Sequence, residues 1–143
     1  ILNWEGLQKL VADAKGRVAV VDLWSTQCGP CMKEFPHLVE LHNTKKSEVA
    51  CYSFNLDYIG QGKPEDVQAA PLDFLKNQKA TLPNILSSEK DEVIYEKLQL
   101  DSIPAVFVYD RQGKLRKRFV GEEREFTYQA DILPLVETLI DEN

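Results

Sequence analysis

The chain has 143 residues, of which 43% are hydrophobic and 28% charged, and its formal net charge is −6. This length and composition predict a single globular domain over residues 1–143. The acidic balance argues against nucleic acid as a partner, and no apolar run reaches the ~20 residues of a membrane-spanning helix. The sequence starts at Ile1 without a Met and shows no signal peptide, so we expect a processed form or an excised domain.

The first predicted elements are a helix and a strand. Asn3 can cap a helix that ends at Gly16. Residues 18–24 form a nearly continuous apolar run, which predicts a central strand covered on both faces. Asp22 is the one residue that breaks this run. Residues 48–56 predict a second central strand.

A pair of cysteines follows the first strand after a short polar turn. Cys28, Gly29, Pro30 and Cys31 open a predicted helix, and Pro30 suits its first turn. The unpaired N–H groups of a helix N-terminus should lower the pKa of Cys28 below about 8.5. Cys31 lies on the same helical face, within reach of a disulfide. We predict that Cys28 attacks a disulfide and that Cys31 resolves the mixed disulfide.

Other interpretations of the cysteines are a structural disulfide, half of a zinc site, or two unpaired core thiols. For zinc, His37 and His42 would have to complete the site, but their spacing turns them apart on the helix. We therefore predict no metal, and we place both histidines at the surface or the edge of the core. Cys51, in the second strand, is predicted to be a buried and inert side chain, with a third redox partner as the alternative.

After the second strand we predict a loop over residues 58–64, a helical segment over 64–80 that is interrupted at Pro71, and a short extended piece over 82–86. A helix then ends at Leu98, and Ser88 with Asp91 is predicted to cap it. The last elements are a strand over 103–109, a turn over 110–113, a strand over 114–120 and a helix over 131–140. The last strand is rich in Lys and Arg, which is typical of an edge strand. Glu122, Glu123 and Glu125 offset its charge. Together these elements predict an α/β domain with a mixed central β-sheet flanked by helices.

Here the chain resembles the thioredoxin superfamily from Val18 onward, through the following residues: Asp22, Trp24, the C-G-P-C segment, Pro36, Ile103 with Pro104, and Gly121. The run Lys33-Glu34-Phe35-Pro36 resembles the TlpA/ResA-type thiol-disulfide oxidoreductases. So does the long stretch between Cys31 and Pro104. The resemblance implies a thioredoxin-like fold with a helical insertion at about residues 58–92, before the cis-proline strand.

The resemblance also implies a function. It implies an enzyme that exchanges protein disulfides without a cofactor beyond the Cys28–Cys31 pair, with a redox donor protein as its partner. It implies an extracytoplasmic location, and we expect a monomer. The Gly-Pro dipeptide between the cysteines resembles reducing thioredoxins, so reduction is expected. The alternatives are a disulfide oxidase or isomerase, a non-enzymatic peptide-binding module, and a thiol peroxidase, whose usual Pro/Thr/Cys pattern is missing.

Further candidate site residues divide into substrate-binding residues and acids. The resemblance places substrate backbone against Ile103 and Pro104, with Gln27, Gly29 and Pro30 beside it; Gln27 stands where thioredoxins usually carry a second tryptophan. Asp22 should be buried, which would raise its pKa and suit it to act as a base for Cys31, through water. The alternative for Asp22 is a structural hydrogen bond. Glu34 could tune the cysteines or be solvated, and the sequence leaves open which acid dominates.

Overall fold

The computed structural model describes residues 1–121 and 123–142, and Glu122, one of the acids predicted after the last strand, lies outside the described residues. The helices are α1 (Trp4–Asp13), α2 (Gly29–Lys45), α3 (Ala69–Asn77), α4 (Asp91–Leu98) and α5 (Leu133–Asp141). The strands are β1 (Val18–Trp24), β2 (Val49–Asn55), β3 (Asn84–Leu86), β4 (Ala105–Tyr109) and β5 (Leu115–Val120). A 3₁₀-helix (Pro64–Val67) precedes α3, and a π-helix (Tyr128–Ile132) leads into α5.

The strands form one mixed sheet in the order β3-β2-β1-β4-β5. β1 pairs in parallel with β2, and β2 with β3. β4 runs antiparallel to both β1 and β5. The predicted mixed α/β sheet is therefore confirmed. β1 lies at its centre with all seven residues buried, as its continuous apolar run predicts for a strand covered on both faces.

Each face of the sheet carries its own layer of core side chains. Alternation along β1 sends Val18, Val20 and Trp24 to the face that α2 and α5 cover. Ala19, Val21 and Leu23 point to the opposite face, which α1 and α4 cover. By the same alternation Asp22 lies on the α2 and α5 face. A charged group is thus placed inside one of the two apolar layers.

Pro71 does not interrupt a single long helix. The 3₁₀-helix and α3 are separate elements, and Pro71 lies in the first turn of α3, where its missing N–H costs no helical hydrogen bond. The break comes before it, at Gln68.

The predicted cap of α4 is wrong. Lys90 is the N-cap residue, and its side chain makes no capping bond. The serine whose side chain forms a hydrogen bond with the backbone near the start of α4 is Ser87. Its hydroxyl oxygen accepts from the N–H of Glu89 at 3.1 Å. Ser88 instead donates its backbone N–H to Leu2 at 2.9 Å, because the N-terminal segment runs beside β3.

The C-terminal helical segment begins earlier than predicted, at Tyr128 rather than Asp131. Thr127 caps it, since its hydroxyl oxygen accepts from the N–H of Ala130 at 3.0 Å. Its first turns form the π-helix. No helix within residues 1–121 and 123–142 combines the length and apolar character that crossing a bilayer requires.

Candidate active site

The two cysteines at the start of α2 form a disulfide, with their Cα atoms 5.3 Å apart. Cys28 is the N-cap residue of α2, and its sulfur lies 3.3 Å from the backbone N–H of Cys31. Cys28 is half-buried at the molecular surface, whereas Cys31 is 2% exposed and packs in the α2 and α5 layer. The two sulfurs therefore differ in access, in the order that an attacking and a resolving thiol require.

The turn that carries Cys28 is fixed from the neighbouring strand. Asp57, just beyond the end of β2, accepts from the backbone N–H of Thr26 at 2.8 Å and also from the Thr26 hydroxyl. Within the turn, the Ser25 carbonyl accepts from the N–H of Cys28 at 3.1 Å. Asp57 was not among the residues predicted from the sequence. A polar residue at the carboxyl end of a strand parallel to β1 is the pattern that could have found it.

Two grooves flank the disulfide. One, of about 730 Å³, is lined by Gly29, Pro30, Ile103 and Pro104. The other, of about 440 Å³, is lined by Gln27, Cys28 and again Ile103 and Pro30. The fold thus brings all the predicted substrate-binding residues to the surface around Cys28. A third cavity, of about 430 Å³ between α3 and β3, contains neither cysteine among its lining residues.

The floor of the larger groove is formed by close backbone packing. The Ile103–Pro104 peptide bond is cis, which is the isomer that the resemblance implies. Gly121, directly after β5, donates its N–H to the Pro104 carbonyl at 3.1 Å. A Cβ atom at position 121 would lie 3.2 Å from Cγ of Pro104. Glycine is therefore the residue that lets these two backbones approach without displacing the proline.

Asp22 is buried inside the layer that contains Cys31, with 3% of its surface exposed. Burial raises the pKa of Asp22 to about 7, a hydrogen bond from Tyr128 opposes this rise, and the negative charge of Glu34 adds to it. The Tyr128 hydroxyl donates to Oδ2 of Asp22 at 2.5 Å. A carboxyl group with such a pKa can exchange its proton near neutral pH.

Glu34 and His37 approach the same tyrosine from α2. Oε1 of Glu34 accepts from the backbone N–H of Tyr128 at 2.8 Å, and its Oε2 lies 4.0 Å from Nε2 of His37. The His37 ring stacks on that of Tyr128, with centroids 6.3 Å apart. Glu34 is thus half-buried and bonded rather than solvated.

Sequence reasoning missed Tyr128, which contacts both candidate acids. Its place at the start of an amphipathic helix marks it as a core residue and no more. A buried tyrosine hydroxyl needs an acceptor, and a buried aspartate needs a donor. That matching requirement is the pattern that could have suggested the pair.

The third cysteine, Cys51, has 1% of its surface exposed and takes no part in the disulfide. Burial, together with the charge of Asp22, raises the pKa of Cys51 to about 12. It therefore remains a neutral thiol at physiological pH. Residues 1–121 and 123–142 contain no group of three or more His, Cys, Asp or Glu side chains that could hold a metal ion.

Comparison with known families agrees with this geometry. The family model described as Redoxin matches residues 5–132. The chain belongs to the Redoxin family. The matched residues include β1, both cysteines, Pro104 and Tyr128, so the candidate site lies within the part of the chain that the family model matches.

Two relatives of this Redoxin chain have names that describe disulfide chemistry. It is 29% identical over 132 residues to the thiol:disulfide interchange protein DsbE of Pseudomonas aeruginosa, with 92% of this chain and 66% of the relative covered. It is 26% identical over 123 residues to the thiol-disulfide oxidoreductase ResA of Bacillus cereus, with 86% and 66% covered. The chain thus matches slightly less than two thirds of the length of these relatives.

A solved structure supports the fold. A thiol-disulfide isomerase from Corynebacterium glutamicum superposes with a TM-score of 0.73 at 18% identity, covering 92% of this chain and 85% of that one. The predicted thioredoxin-like fold and the resemblance to the ResA type are therefore confirmed.

The difference in burial predicts the order in which the reduced thiols react. In the reduced native protein, iodoacetamide at neutral pH should label Cys28 well before Cys31 or Cys51, because Cys28 alone among the three is partly exposed. Peptide mass spectrometry over time would follow the three sites separately. Urea-unfolded protein, in which all three should react alike, is the control. Equal labelling of Cys28 and Cys31 in the native protein would contradict the assignment of Cys28 as nucleophile.

The burial of Asp22 predicts a pH-dependent cost to stability. Its pKa rises from 3.8 when unfolded to about 7 when folded, so the folded state binds more protons between these values and loses stability as the pH rises through them. Above about pH 7 the cost levels off, at up to about 4 kcal/mol given about 1.36 kcal/mol per pH unit. Asp22→Asn should remove this cost, because an amide does not ionise. Its oxygen can still accept the hydrogen bond from the Tyr128 hydroxyl, so this contact is kept.

Urea unfolding of the oxidised native protein and of Asp22→Asn, at pH 4 and pH 8, measures this effect. The free energy of unfolding of Asp22→Asn should exceed that of the native protein by more at pH 8 than at pH 4. Glu40→Gln, at an exposed position, is the control. Its free energy of unfolding should differ little from that of the native protein at either pH. A stability difference that does not change with pH would show that Asp22 is an ordinary structural hydrogen-bonding residue.

Proposed function

We propose that this Redoxin protein is a thiol-disulfide oxidoreductase that reduces disulfides in protein substrates. The observation that carries the proposal is the redox pair itself. A partly exposed sulfur between two grooves is joined to a buried sulfur at the N-terminus of a helix. The DsbE and ResA relatives, whose names describe the same exchange, support it.

The reaction begins from the reduced pair. The Cys28 thiolate attacks one sulfur of a substrate disulfide; the substrate S–S bond breaks, and its other sulfur leaves as a thiolate that takes up a proton. A mixed disulfide between Cys28 and the substrate remains. Cys31 then loses its proton and attacks the Cys28 sulfur, which releases the second substrate thiol. Two electrons pass to the substrate, and the protein is left with the Cys28–Cys31 disulfide.

Asp22 supplies the base for the second step in this proposal. The Cys31 thiol must lose its proton inside an apolar layer, and Asp22 is a carboxyl group of that layer with a pKa raised to about 7. It takes the proton through a water molecule. Glu34 acts through its charge, since its anion further raises the pKa of Asp22. Both acids therefore contribute, with Asp22 as the proton acceptor.

The two grooves beside Cys28 are the proposed binding site for the substrate. Extended substrate backbone lies along Ile103 and Pro104, opposite Cys28, and side chains on either side of the substrate cysteine enter the two grooves. Gln27, Gly29 and Pro30 form the rim on the α2 side. A redox donor protein would use the same surface to return the disulfide to the dithiol, because it must also reach the Cys28 sulfur.

We further propose that the chain acts as a monomeric single domain, with residues 58–92 as an insertion, and in an extracytoplasmic setting. These proposals rest on the resemblance to the ResA type. The described segment between β2 and β4 contains the 3₁₀-helix, α3, β3 and α4, which is compatible with an insertion at this point of the fold.

Reduction of insulin by dithiothreitol tests the activity. The native protein should accelerate insulin precipitation, and Cys28→Ser should abolish the acceleration because no nucleophile remains. Cys31→Ser should instead accumulate mixed disulfides, since attack survives and resolution does not. Cys51→Ala, which removes a buried sulfur outside the disulfide, should remain active. A native protein that leaves the rate unchanged would contradict an enzymatic role and favour a binding module.

The direction of electron flow is tested by the reduction potential of the Cys28–Cys31 couple. Equilibration with glutathione, followed by quantifying oxidised and reduced protein, measures it. A potential near about −270 mV is expected, since this is the value of reducing thioredoxins. A potential near about −120 mV, the value of strong oxidants, would contradict the proposed reductase and favour an oxidase.

A further inference from the structure

We propose that Tyr128 is a positioning residue for both acids of this site: its hydroxyl holds Asp22 and its backbone N–H holds Glu34. The role of the two acids in thiol chemistry rests on the proposed function, whereas the tyrosine's hold on them is read from the geometry. One residue thereby couples the proton acceptor in β1 to the charged side chain in α2.

The contacts join three elements that are far apart in the chain. The Tyr128 hydroxyl and Oδ2 of Asp22 are 2.5 Å apart across 106 residues of sequence. The Tyr128 N–H and Oε1 of Glu34 are 2.8 Å apart across 94 residues. Tyr128 is 1% exposed. With so little water at the hydroxyl, the bond to Asp22 is made at low dielectric, where it has its largest effect.

Tyr128 is held in place by contacts that do not involve Asp22. Thr127, the residue before it, caps the π-helix and donates its own N–H to Oδ2 of Asp131 at 3.0 Å. Arg124 pairs with the other oxygen of Asp131 at 2.9 Å. The ring of His37 stacks on the tyrosine from α2. The backbone at Tyr128 and one face of its ring are therefore held by contacts other than the bond to Asp22.

The bond has a definite chemical consequence. A hydroxyl that donates to a carboxylate favours the ionised form, so it opposes the two influences that favour the protonated form, which are burial and the charge of Glu34. Burial and the charge of Asp22 raise the pKa of Tyr128 itself well above its ordinary value. The phenol therefore keeps its proton and remains a donor throughout the working pH range.

The other groups around Asp22 do not replace this donor. α2 contributes Glu34, with His37 beyond it, and the oxidised Cys31. On β2 the residue paired with Asp22 is Ser53, whose hydroxyl donates to Oδ1 of Asn84 at 2.6 Å, and the nearby Cys51 is a neutral thiol. On β4 the residue paired with Asp22 is Val106, which is apolar. Among the described residues, Tyr128 is the side chain that donates a hydrogen bond to this carboxyl group.

Tyr128→Phe isolates the proposed interaction. It removes the hydroxyl but keeps the ring and the backbone N–H that holds Glu34. The matched control is Tyr52→Phe, because Tyr52 is another buried tyrosine, on the opposite face of the sheet, whose hydroxyl donates to the Leu10 carbonyl at 3.1 Å. Glu34→Gln is a second variant, in which the amide oxygen can still accept from Tyr128 while the charge is lost.

Carbon-13 NMR of the Asp22 carboxyl group, titrated with pH in the oxidised protein, is the first readout. Tyr128→Phe should raise the pKa of Asp22 by about one pH unit or more, as expected for loss of a hydrogen bond to a charged group. Glu34→Gln should lower it, and Tyr52→Phe should leave it unchanged. A pKa of Asp22 that stays the same or falls in Tyr128→Phe would overturn the proposal.

The second readout is the rate at which Cys31 resolves a preformed mixed disulfide on Cys28, measured against pH. Its midpoint should rise in Tyr128→Phe together with the pKa of Asp22. A slower reaction with an unmoved midpoint would indicate a merely structural tyrosine and overturn the positioning role.

The NMR titration does not depend on activity. A native protein that fails to reduce insulin would refute the proposed function while leaving the test of Tyr128 intact. If Tyr128→Phe does not fold, 3-fluorotyrosine at position 128 provides the opposite change. Its more acidic hydroxyl is a stronger donor and should lower the pKa of Asp22; an unchanged or higher value would overturn the proposal.

Discussion

The burial of one carboxyl group in the central strand is the constraint on which the site depends. β1 is buried along its whole length, and Asp22 lies in its middle, where an ionised group without a donor would cost several kcal/mol. The donor comes from Tyr128, near the end of the chain. In the proposed mechanism, the chemistry at the cysteines therefore depends on the docking of the π-helix, which follows them by almost a hundred residues and leads into α5.

The strand-to-helix junction gives the two sulfurs different environments. β1 ends at the buried Trp24, the turn that follows is held by Asp57, and α2 begins at Gly29 and packs in the α2 and α5 layer from Cys31 onward. Cys28 remains at the rim, whereas Cys31 is carried inward beside Phe35 and Leu38. The difference in exposure between Cys28 and Cys31 thus follows from the direction of the helix.

Sequence reasoning identified the parts of the fold that have local causes. The nearly continuous apolar run of β1 and the helix that starts at the cysteines were both found with correct positions, since periodicity and capping are properties of neighbouring residues. Asp22 was noticed because it interrupts an apolar run. The cap of α4 was assigned to Ser88, because several polar residues in a row can each satisfy a capping pattern and only the final backbone path selects one.

Asp57 and Tyr128 were missed for a different reason. Their roles are created by contacts with distant segments: Asp57 reaches Thr26 from the neighbouring strand, and Tyr128 reaches Asp22 across the layer. Nothing in the residues beside them in sequence distinguishes them from other aspartates in turns or other tyrosines on helices. Such residues can be assigned only once the sheet order has fixed which strand ends and which helix ends meet.

The same buried layer raises the pKa of one group into the neutral range and that of another far above it. Burial is the main cause that raises the pKa of Asp22 from 3.8 to about 7 and that of Cys51 from 9.0 to about 12, so the two rises are similar. Their outcomes differ because the starting values differ. A carboxyl group whose pKa lies near neutral pH can accept and return a proton at that pH. A thiol whose pKa is raised by a similar amount stays protonated there. The layer that, in the proposed mechanism, suits Asp22 to accept the proton of Cys31 therefore also keeps Cys51 a neutral thiol.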